Sequence, residues 1–380
     1  MSKANESPIA AQQPFNKQTA ISCVHFGPCG GCILDNPHFP PIWDTVQEFF
    51  AVHEAPLTEL QIGSITGWRT KAKLAVRGES GPMIGLFRSG THEVLEIPHC
   101  KIHHPSINQA VAIVEQAVIE LTISIYDEKS KTGLLRYIQC FVDIETAKVQ
   151  LVLIVQAKEE SIDHLVQYLE KNPLFHSIWL NIQSQATNTI LGESWLLVYG
   201  PPFLEQKLAG EKFFFHPGAF SQAHWTLFEK LALDVVSMVP EQAKLLEIYA
   251  GIGAMGILAS SKCISVALLE NNPFAYLSFQ ALNKSAISYH LGDAKEALPL
   301  IPNADCYLLD PPRKGVDPLL LNALLWATGT IIYVSCDFNS FVRDLEDLIE
   351  AGWELKEGKS YLLFPGTNHV ETVAKLVKAL

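Results

Sequence analysis

The chain has 380 residues, 48% of them hydrophobic, and a formal net charge of -12 at pH 7. That length predicts two domains rather than one, with apolar residues enough for a sizeable core. The acidic balance excludes a chain that holds nucleic acid by bulk charge alone, but leaves room for a local basic groove.

No apolar run approaches the roughly eighteen residues of a membrane span. Residues Met1 to Ala20 are polar, with no apolar core of a signal peptide. They are expected to form a short disordered lead on a cytoplasmic, monomeric protein with no membrane partner. Disulfides are not expected there, so clustered cysteines need another account.

The first such cluster is Cys23-Val-His-Phe-Gly-Pro-Cys29-Gly-Gly-Cys32, and Cys100 follows in the loop-like Ile97-Pro-His-Cys100. Gly30 and Gly31 let the backbone curl around a central atom or cluster. Three close thiols and one remote thiol suit an iron–sulfur cluster or a zinc ion, and spacing does not choose between them. His25, His99, His103 and His104 lie nearby and are read first as solvated loop residues.

The pattern Ile42, Val46, Phe49, Phe50 predicts a helix over 41–53. Short strands follow at 71–76, 83–87 and 94–97, then a helix over 107–122. A strand pair is expected at 134–143 and 149–156, a helix at 161–170, and strands at 177–182 and 189–198. This first part, 21–205, reads as an α+β unit. Its cations Arg69, Lys71, Lys73, Arg88 and Arg136 are either an RNA-facing stripe or an ordinary solvated face.

After Pro201-Pro202 the character changes, and 206–380 alternates helix and strand. Helices are expected at 221–238, 274–284, 318–326 and 338–351. Strands are expected at 245–249, 265–269, 287–291, 306–309, 331–335, 353–364 and 370–378. Such alternation means a mostly parallel sheet with helices on both faces, here of seven strands.

Ile331-Ile-Tyr-Val-Ser-Cys-Asp337 is where chemistry is expected. A cysteine at the carboxyl end of a strand, facing a helix start, sits where open α/β sheets bind ligands. The helix dipole there should favour thiolate, whereas Asp337 beside it should oppose that. The bland reading is a small buried hydrophobe.

Glu247-Ile-Tyr249-Ala-Gly251-Ile-Gly253-Ala-Met-Gly256 is a Gly-rich turn between strand and helix. Glycines there let a ligand approach the backbone. Acids end successive strands at Glu247, Glu270 and Asp293. Glu247 suits the cationic amino-acid end of S-adenosylmethionine, Glu270 its ribose hydroxyls and Asp293 its adenine amino group. The alternative is that such acids cap helices.

These residues, in this order, resemble the RNA uracil-C5 methyltransferases. The likeness runs through Trp68-Arg-Thr-Lys71, Gly133-Leu-Leu-Arg136, Phe220-Ser-Gln222, the Gly loop, Asp310-Pro-Pro-Arg313-Lys-Gly315, Ser335-Cys336 and Phe364-Pro-Gly-Thr-Asn-His369-Val-Glu371. It implies a Rossmann-like methyltransferase domain behind an N-terminal α+β RNA-binding domain. It further implies that Cys23, Cys29, Cys32 and Cys100 hold a 4Fe-4S cluster. Gln222, Tyr249, Gly251, Glu270, Asp293 and Asp310 would line the S-adenosylmethionine site, with Asp310 also beside the target base. Cys336 would be the nucleophile and Glu371, in the loop between the closing strands, the base.

Few residues precede Cys23, too few for the N-terminal barrel of the TRAM-bearing members. The likeness is therefore to the branch that methylates 23S ribosomal RNA at uracil 747, with transfer RNA as the alternative substrate. The chain carries Ala250-Gly251 where the family commonly has Cys-Gly, and Asp337-Phe338 where it commonly has Asn-Pro. Phe220 and Phe338 are candidates to hold the flipped base, with core packing the first reading of each. Arg313 and Lys314 are candidates to offset charge on the uracil carbonyl, with a backbone amide as the plain alternative. Other readings are an amino-group methyltransferase, disfavoured because Arg313 follows Asp310-Pro-Pro, a non-catalytic RNA-binding scaffold, and a nicotinamide oxidoreductase.

Overall fold

The computed structural model describes residues 21–34, 36–78 and 81–379. The expected lead over 1–20 lies outside them. Two seven-stranded sheets organise the chain.

Helix α1 (Ile42–Val52) comes first, then strands β1 (Lys71–Arg77), β2 (Met83–Phe87) and β3 (Val94–Glu96), and helix α2 (Pro105–Glu120). Next come β4 (Leu135–Val142), β5 (Val149–Val155), α3 (Glu160–Leu169), β6 (Phe175–Ile182) and β7 (Ser194–Tyr199). The first sheet runs β3-β2-β1-β4-β5-β6-β7. Its pairs are antiparallel except β5 with β6, which α3 connects. β4 and β5 are buried along their whole length, Arg136, Gln139 and Gln150 included, so neither alternates between buried and exposed positions. α2 covers one face through Ile107, Val111 and Val114. The strand expected to begin at Thr189 begins at Ser194, because Thr189 and Leu191 turn their carbonyls to the Gln183 side-chain amide instead.

The sequence reading misses a hairpin, β8 (Leu204–Leu208) and β9 (Glu211–Phe215). Its two-residue turn has positive φ at Ala209 (51°) and Gly210 (83°), the pattern that matches strand twist. Leu204, Leu208, Phe213 and Phe215 pack with Trp225 and Leu231. The division expected between 205 and 206 therefore falls inside β8.

The second half contains α4 (Trp225–Met238), β10 (Lys244–Ile248), α5 (Ala254–Ala259), β11 (Ser265–Glu270), α6 (Pro273–Ala281) and β12 (Ser288–Leu291). It continues with β13 (Cys306–Leu309), α7 (Pro318–Leu325), β14 (Gly329–Ser335), α8 (Phe338–Glu350), β15 (Glu354–Tyr361) and β16 (Glu371–Lys378). The sheet order is β12-β11-β10-β13-β14-β16-β15, parallel through β14 and antiparallel at β16 and β15. This is the expected Rossmann-like α/β sheet. Winding reverses between β10 and β13, so a crevice opens at their carboxyl ends.

α1 does not pack with the first sheet, although it precedes that sheet in the chain. Its Val46, Phe49 and Phe50 join Tyr333, Phe341 and Leu345 in the core of the second half. Residues 55–61 continue along β15, with Leu57 bridging to Gly358 and Gln61 to Tyr361. The segment expected within the 21–205 unit is thus partly a cover on the second sheet. Among the described residues no helix is long and apolar enough to cross a membrane.

Candidate active site and cysteine cavity

Cys336 directly follows β14, and Asp337 caps α8 by accepting the Ser340 N–H at 3.0 Å. Asp337 thus does what the commoner Asn does well, since both are good N-cap residues. The thiol is not activated as expected from the helix dipole. It is pushed up to about 12, by burial first, then by Glu371 and Asp310, with Arg313 opposing. Asp337, expected to raise it, is not among these causes.

Antiparallel register sets Glu371 opposite Cys336. β14 and β16 pair Val334 with Val373 and Ser335 with Thr372, so the next residues along are Cys336 and Glu371. Glu371 is the first residue of β16, not a loop residue, and is 3% exposed. Its Oε1 has no hydrogen-bond partner, and burial, then Asp310, pushes its carboxyl up to about 8. Asp310, at the end of β13, is itself pushed up to about 7 by burial and Glu270. An acid raised to near neutrality can exchange a proton at working pH.

The Gly loop lies between β10 and α5. Tyr249, Gly251 and Gly253 have φ of 62°, 54° and 79°, so the backbone coils tightly here. The Gly256 N–H donates to Glu247 Oε2 at 2.8 Å, and a Cβ on Gly256 would collide with that oxygen. Glu247 is fully buried, with Oε1 unpartnered, and burial pushes it up to about 8. It braces the loop from beneath. Glu270 accepts the Gly251 N–H at 3.0 Å and the Asn272 N–H at 2.8 Å, which joins the loop to the end of β11. Asp293 accepts from the Asn271 amide at 3.2 Å.

One cavity of about 820 Å³ gathers these groups. Cys336, Glu371, Gln222, Tyr249, Gly251, Glu270, Asp293 and Asp310 all line it, together with Phe220, Arg313 and Lys314. Phe338 does not: it is buried and stacked on Phe341 at 5.7 Å. Phe220 behaves oppositely. It is 64% exposed at the rim of the cavity, so the first reading of it as core is corrected.

The 310–317 loop is held from behind by a network that sequence reasoning missed. Asp344 is wholly buried and accepts from the Tyr333 hydroxyl at 2.6 Å and the Val316 N–H at 2.8 Å. Arg343 donates to the Lys314 carbonyl at 2.8 Å, and the Asp317 N–H donates to the Tyr249 hydroxyl at 2.9 Å. No local motif announces such contacts, which join residues far apart in the chain.

The expected cationic stripe is broken. Arg136 is buried, lies 4.1 Å over the Tyr126 ring and donates to the Gln185 carbonyl at 2.8 Å. Lys71 donates to the Ala219 carbonyl at 2.6 Å, and burial lowers it to about 7. It ties β1 to the segment that carries Phe220 and Gln222. Lys73 and Arg88 remain exposed, and Arg69 is partly so.

Cys23, Cys29, Cys32 and Cys100 line a second cavity, of about 350 Å³, with Arg69, Lys73 and Lys101 also on its wall. The four thiols are near enough for Cys100, Cys29 and Cys23 each to raise Cys32, which burial chiefly pushes up to about 11. Among the described residues no three His, Cys, Asp or Glu side chains are drawn together as a metal ion requires. His25 also lines this cavity, with a buried, unpartnered Nε2. Of the other histidines, His103 is buried and bonded to Asn108, and His104 caps α2, so neither is a solvated loop residue.

Comparison with known proteins follows the same lines. The chain is 40% identical over 376 residues to an uncharacterized RNA methyltransferase of Protochlamydia amoebophila, covering 94% of this chain and 97% of that one. It is 28% identical over 383 residues to an uncharacterized RNA methyltransferase of Geobacter sulfurreducens, covering 94% of this chain and 77% of the relative. Among solved structures it resembles the Pyrococcus abyssi tRNA (uracil-54, C5)-methyltransferase in complex with S-adenosyl-L-homocysteine, with a TM-score of 0.73. That match is 24% identical and covers 87% of this chain and 81% of the other. No family model matches.

Proposed function

Because the chain belongs to the RNA methyltransferases, we propose that it methylates C5 of a uridine in RNA, with 23S ribosomal RNA as the substrate and transfer RNA as the alternative. One observation carries this reading: the β14–β16 register sets an acid opposite a cysteine, inside the cavity that the Gly loop also lines. A methyltransferase acting on an exocyclic amine has no use for that pair. Uracil C5 does, because it is too poor a nucleophile to take a methyl group unaided.

S-adenosylmethionine supplies the methyl group when bound, and the fit is in the residues. The coiled Gly loop gives close backbone approach, and Glu270 and Asp293 offer carboxylate oxygens along the strand ends. Gln222 reaches the same cavity from the segment before α4.

The Cys336 sulfur adds to C6 of uracil, and C5 gains the electron density to take the methyl group. The thiol must first pass its proton to a base, the neighbouring Asp310 carboxylate or solvent water in the open cavity. Arg313 is the cation that favours the thiolate, while Glu371 and Asp310 oppose it. After transfer C5 carries both a hydrogen and the methyl group. Glu371 takes that proton, the C5–H electron pair forms the C5=C6 bond, and the C6–S bond breaks to return the Cys336 thiolate. The base must leave its stack to enter, at a cost of a few kcal/mol. Phe220 at the rim offers a face for it to stack on.

We infer a 4Fe-4S cluster at the four-cysteine cavity, where four thiolates are also the number that a zinc ion takes. Arg69, Lys73 and Lys101 on its wall oppose the negative charge of a thiolate-ligated cluster. Cys23, Cys29, Cys32 and Cys100 would hold it, in a cavity separate from the one that Cys336 and Glu371 line.

The test is Cys336→Ala together with mapping of 5-methyluridine in ribosomal and transfer RNA from cells lacking the gene. One site should lose its methyl group, wild-type protein should restore it, and Cys336→Ala should not. Restoration by Cys336→Ala would end the covalent reading. Loss of a methylated amine instead would move the enzyme to another class.

A further inference from the structure

The segment Phe364–Glu371 faces both cavities. Phe364 and Glu371 line the cavity of the candidate active site, while Gly366 lines the cysteine cavity. Its attachments lead to the cysteines. The Gly366 carbonyl accepts the Ile33 N–H at 2.8 Å and the Leu34 N–H at 3.0 Å, both just after Cys32. Asn368 Oδ1 accepts the Ile42 N–H at 2.8 Å, at the start of α1. Phe364 packs edge-on to Trp68 at 6.0 Å, in a small cluster that includes Cys32 and Cys100. Gly366 has φ of 84°, and a Cβ there would stand 3.4 Å from the Cys32 Cβ. Residues 364–368 are therefore tied to the chain around Cys32, whereas Glu371 is also paired into the sheet as the first residue of β16.

We propose that the segment Phe364–Glu371 is a strap through which the four-cysteine centre positions Glu371, so that the centre controls the last step of the reaction, release of the methylated base. The inference rests on the uridine and iron–sulfur readings above and adds a division of labour to them. Cys336 and the Gly loop are held by β14, β10 and the Asp344 network, none of which touches the cysteine cavity. Glu371 stands where the strap joins β16, so its side chain answers to the strap as well as to the sheet register. When the centre is lost, residues 23–34 lose their anchor, and the two bonds to Gly366 lose theirs. Nucleophile and cofactor loop stay in place while the base shifts. The chemical signature is specific: the Cys336 sulfur still adds and C5 is still methylated, but the C5 proton stays and the C6–S bond does not break. A stalled protein–RNA adduct then accumulates.

The experiment compares the full chain purified without oxygen, with its centre, against the same protein after chelator treatment. Each is given two transcripts of 23S ribosomal RNA, one with uridine and one with 5-fluorouridine. Fluorine cannot leave as a cation, so the fluorinated RNA traps the adduct whatever Glu371 does. The expected result is equal trapping of the fluorinated RNA by both proteins, and adduct accumulation on uridine RNA only after the centre is removed. Hydrogen exchange at Ile33, Leu34 and Thr367 should also accelerate about tenfold on removal. Equal release by both proteins, loss of trapping on the fluorinated RNA after removal, or unchanged exchange at those amides each overturns the inference. Failure of the loaded protein to trap fluorinated RNA would instead fall on the uridine reading. Asn368→Ala cuts the Ile42 bond without touching a cysteine. It should slow release while keeping the visible absorption of the centre, and unchanged release would count against the strap.

Discussion

Replacing Glu371 by Gln tests both the chemistry and the electrostatics of the site. Gln has the same shape, so no cavity opens beside Cys336. Loss of a positioned base typically slows its step by about 10²–10⁴-fold. The expected product is a Cys336–RNA adduct that persists on denaturing gels, with methyl already on C5. Stability supplies an independent reading. Burial, then Asp310, raises the wild-type carboxyl to about 8 in the folded protein, against 4.5 as its ordinary value. Between those two pH values the folded state holds a proton that the unfolded state has released. Wild-type stability is therefore fully present below about pH 4.5 and falls as pH rises towards 8, by about 1.4 kcal/mol per pH unit. Gln does not titrate. Glu371→Gln should match wild type near pH 4.5 and be more stable near pH 8, by an order of a few kcal/mol in denaturant melts. Asp310 titrates with Glu371, so the curve belongs to the pair. In wild type, base release in single turnovers should speed up as pH rises to about 8, because only the carboxylate accepts the proton. No adduct with Glu371→Gln, or a stability gap that does not change with pH, would refute this account.

Gly256→Ala should weaken S-adenosylmethionine binding by calorimetry, because the new methyl group collides with the Glu247 carboxylate that braces the loop. Unchanged affinity would mean that the loop does not hold the cofactor. Phe220→Ala should raise KM for RNA by about 5–100-fold, from the ~1–3 kcal/mol of a lost stacking platform, while leaving cofactor affinity alone. A fall in cofactor affinity of equal size would reassign Phe220 to the cofactor. Asp344→Ala leaves the Tyr333 hydroxyl and Val316 N–H unpaired, so a loss of ~3 kcal/mol or more in unfolding free energy is expected. A loss below ~1 kcal/mol would show that the 310–317 loop is held by other means.

The second half was legible because its signals are local. The central parallel strands β10, β13 and β14 are short, largely buried runs, the turns carry Gly, Pro or an acid, and the order of elements fixes a parallel sheet. The candidate active site was legible for the same reason: its residues stand at strand ends and in motifs that a short window reveals. Three things were not. The β8–β9 hairpin is short, and its Ala209-Gly210 turn resembles an ordinary loop. Helix α1 shows its apolar face but not which sheet receives it. The cations were read by type, whereas Lys71 and Arg136 are decided by burial and by carbonyl partners 148 and 49 residues away.

The state of Cys336 shows the limit most sharply. A strand end and a helix start suggest an activated thiolate, and the adjacent Asp337 suggests one cause of its suppression. The structure reverses both. Asp337 caps α8, and the thiol is raised by burial and by two acids, 35 residues later and 26 residues earlier in the chain. That arrangement suits a covalent catalyst that must not react early. An always-ionised thiol would be open to oxidants and stray electrophiles. Here Glu371, the proposed base, and its neighbour Asp310 both hold the Cys336 thiol up. Sequence order cannot reveal such mutual restraint, because it arises only when β16 folds back beside β14 and brings the base to the nucleophile it restrains.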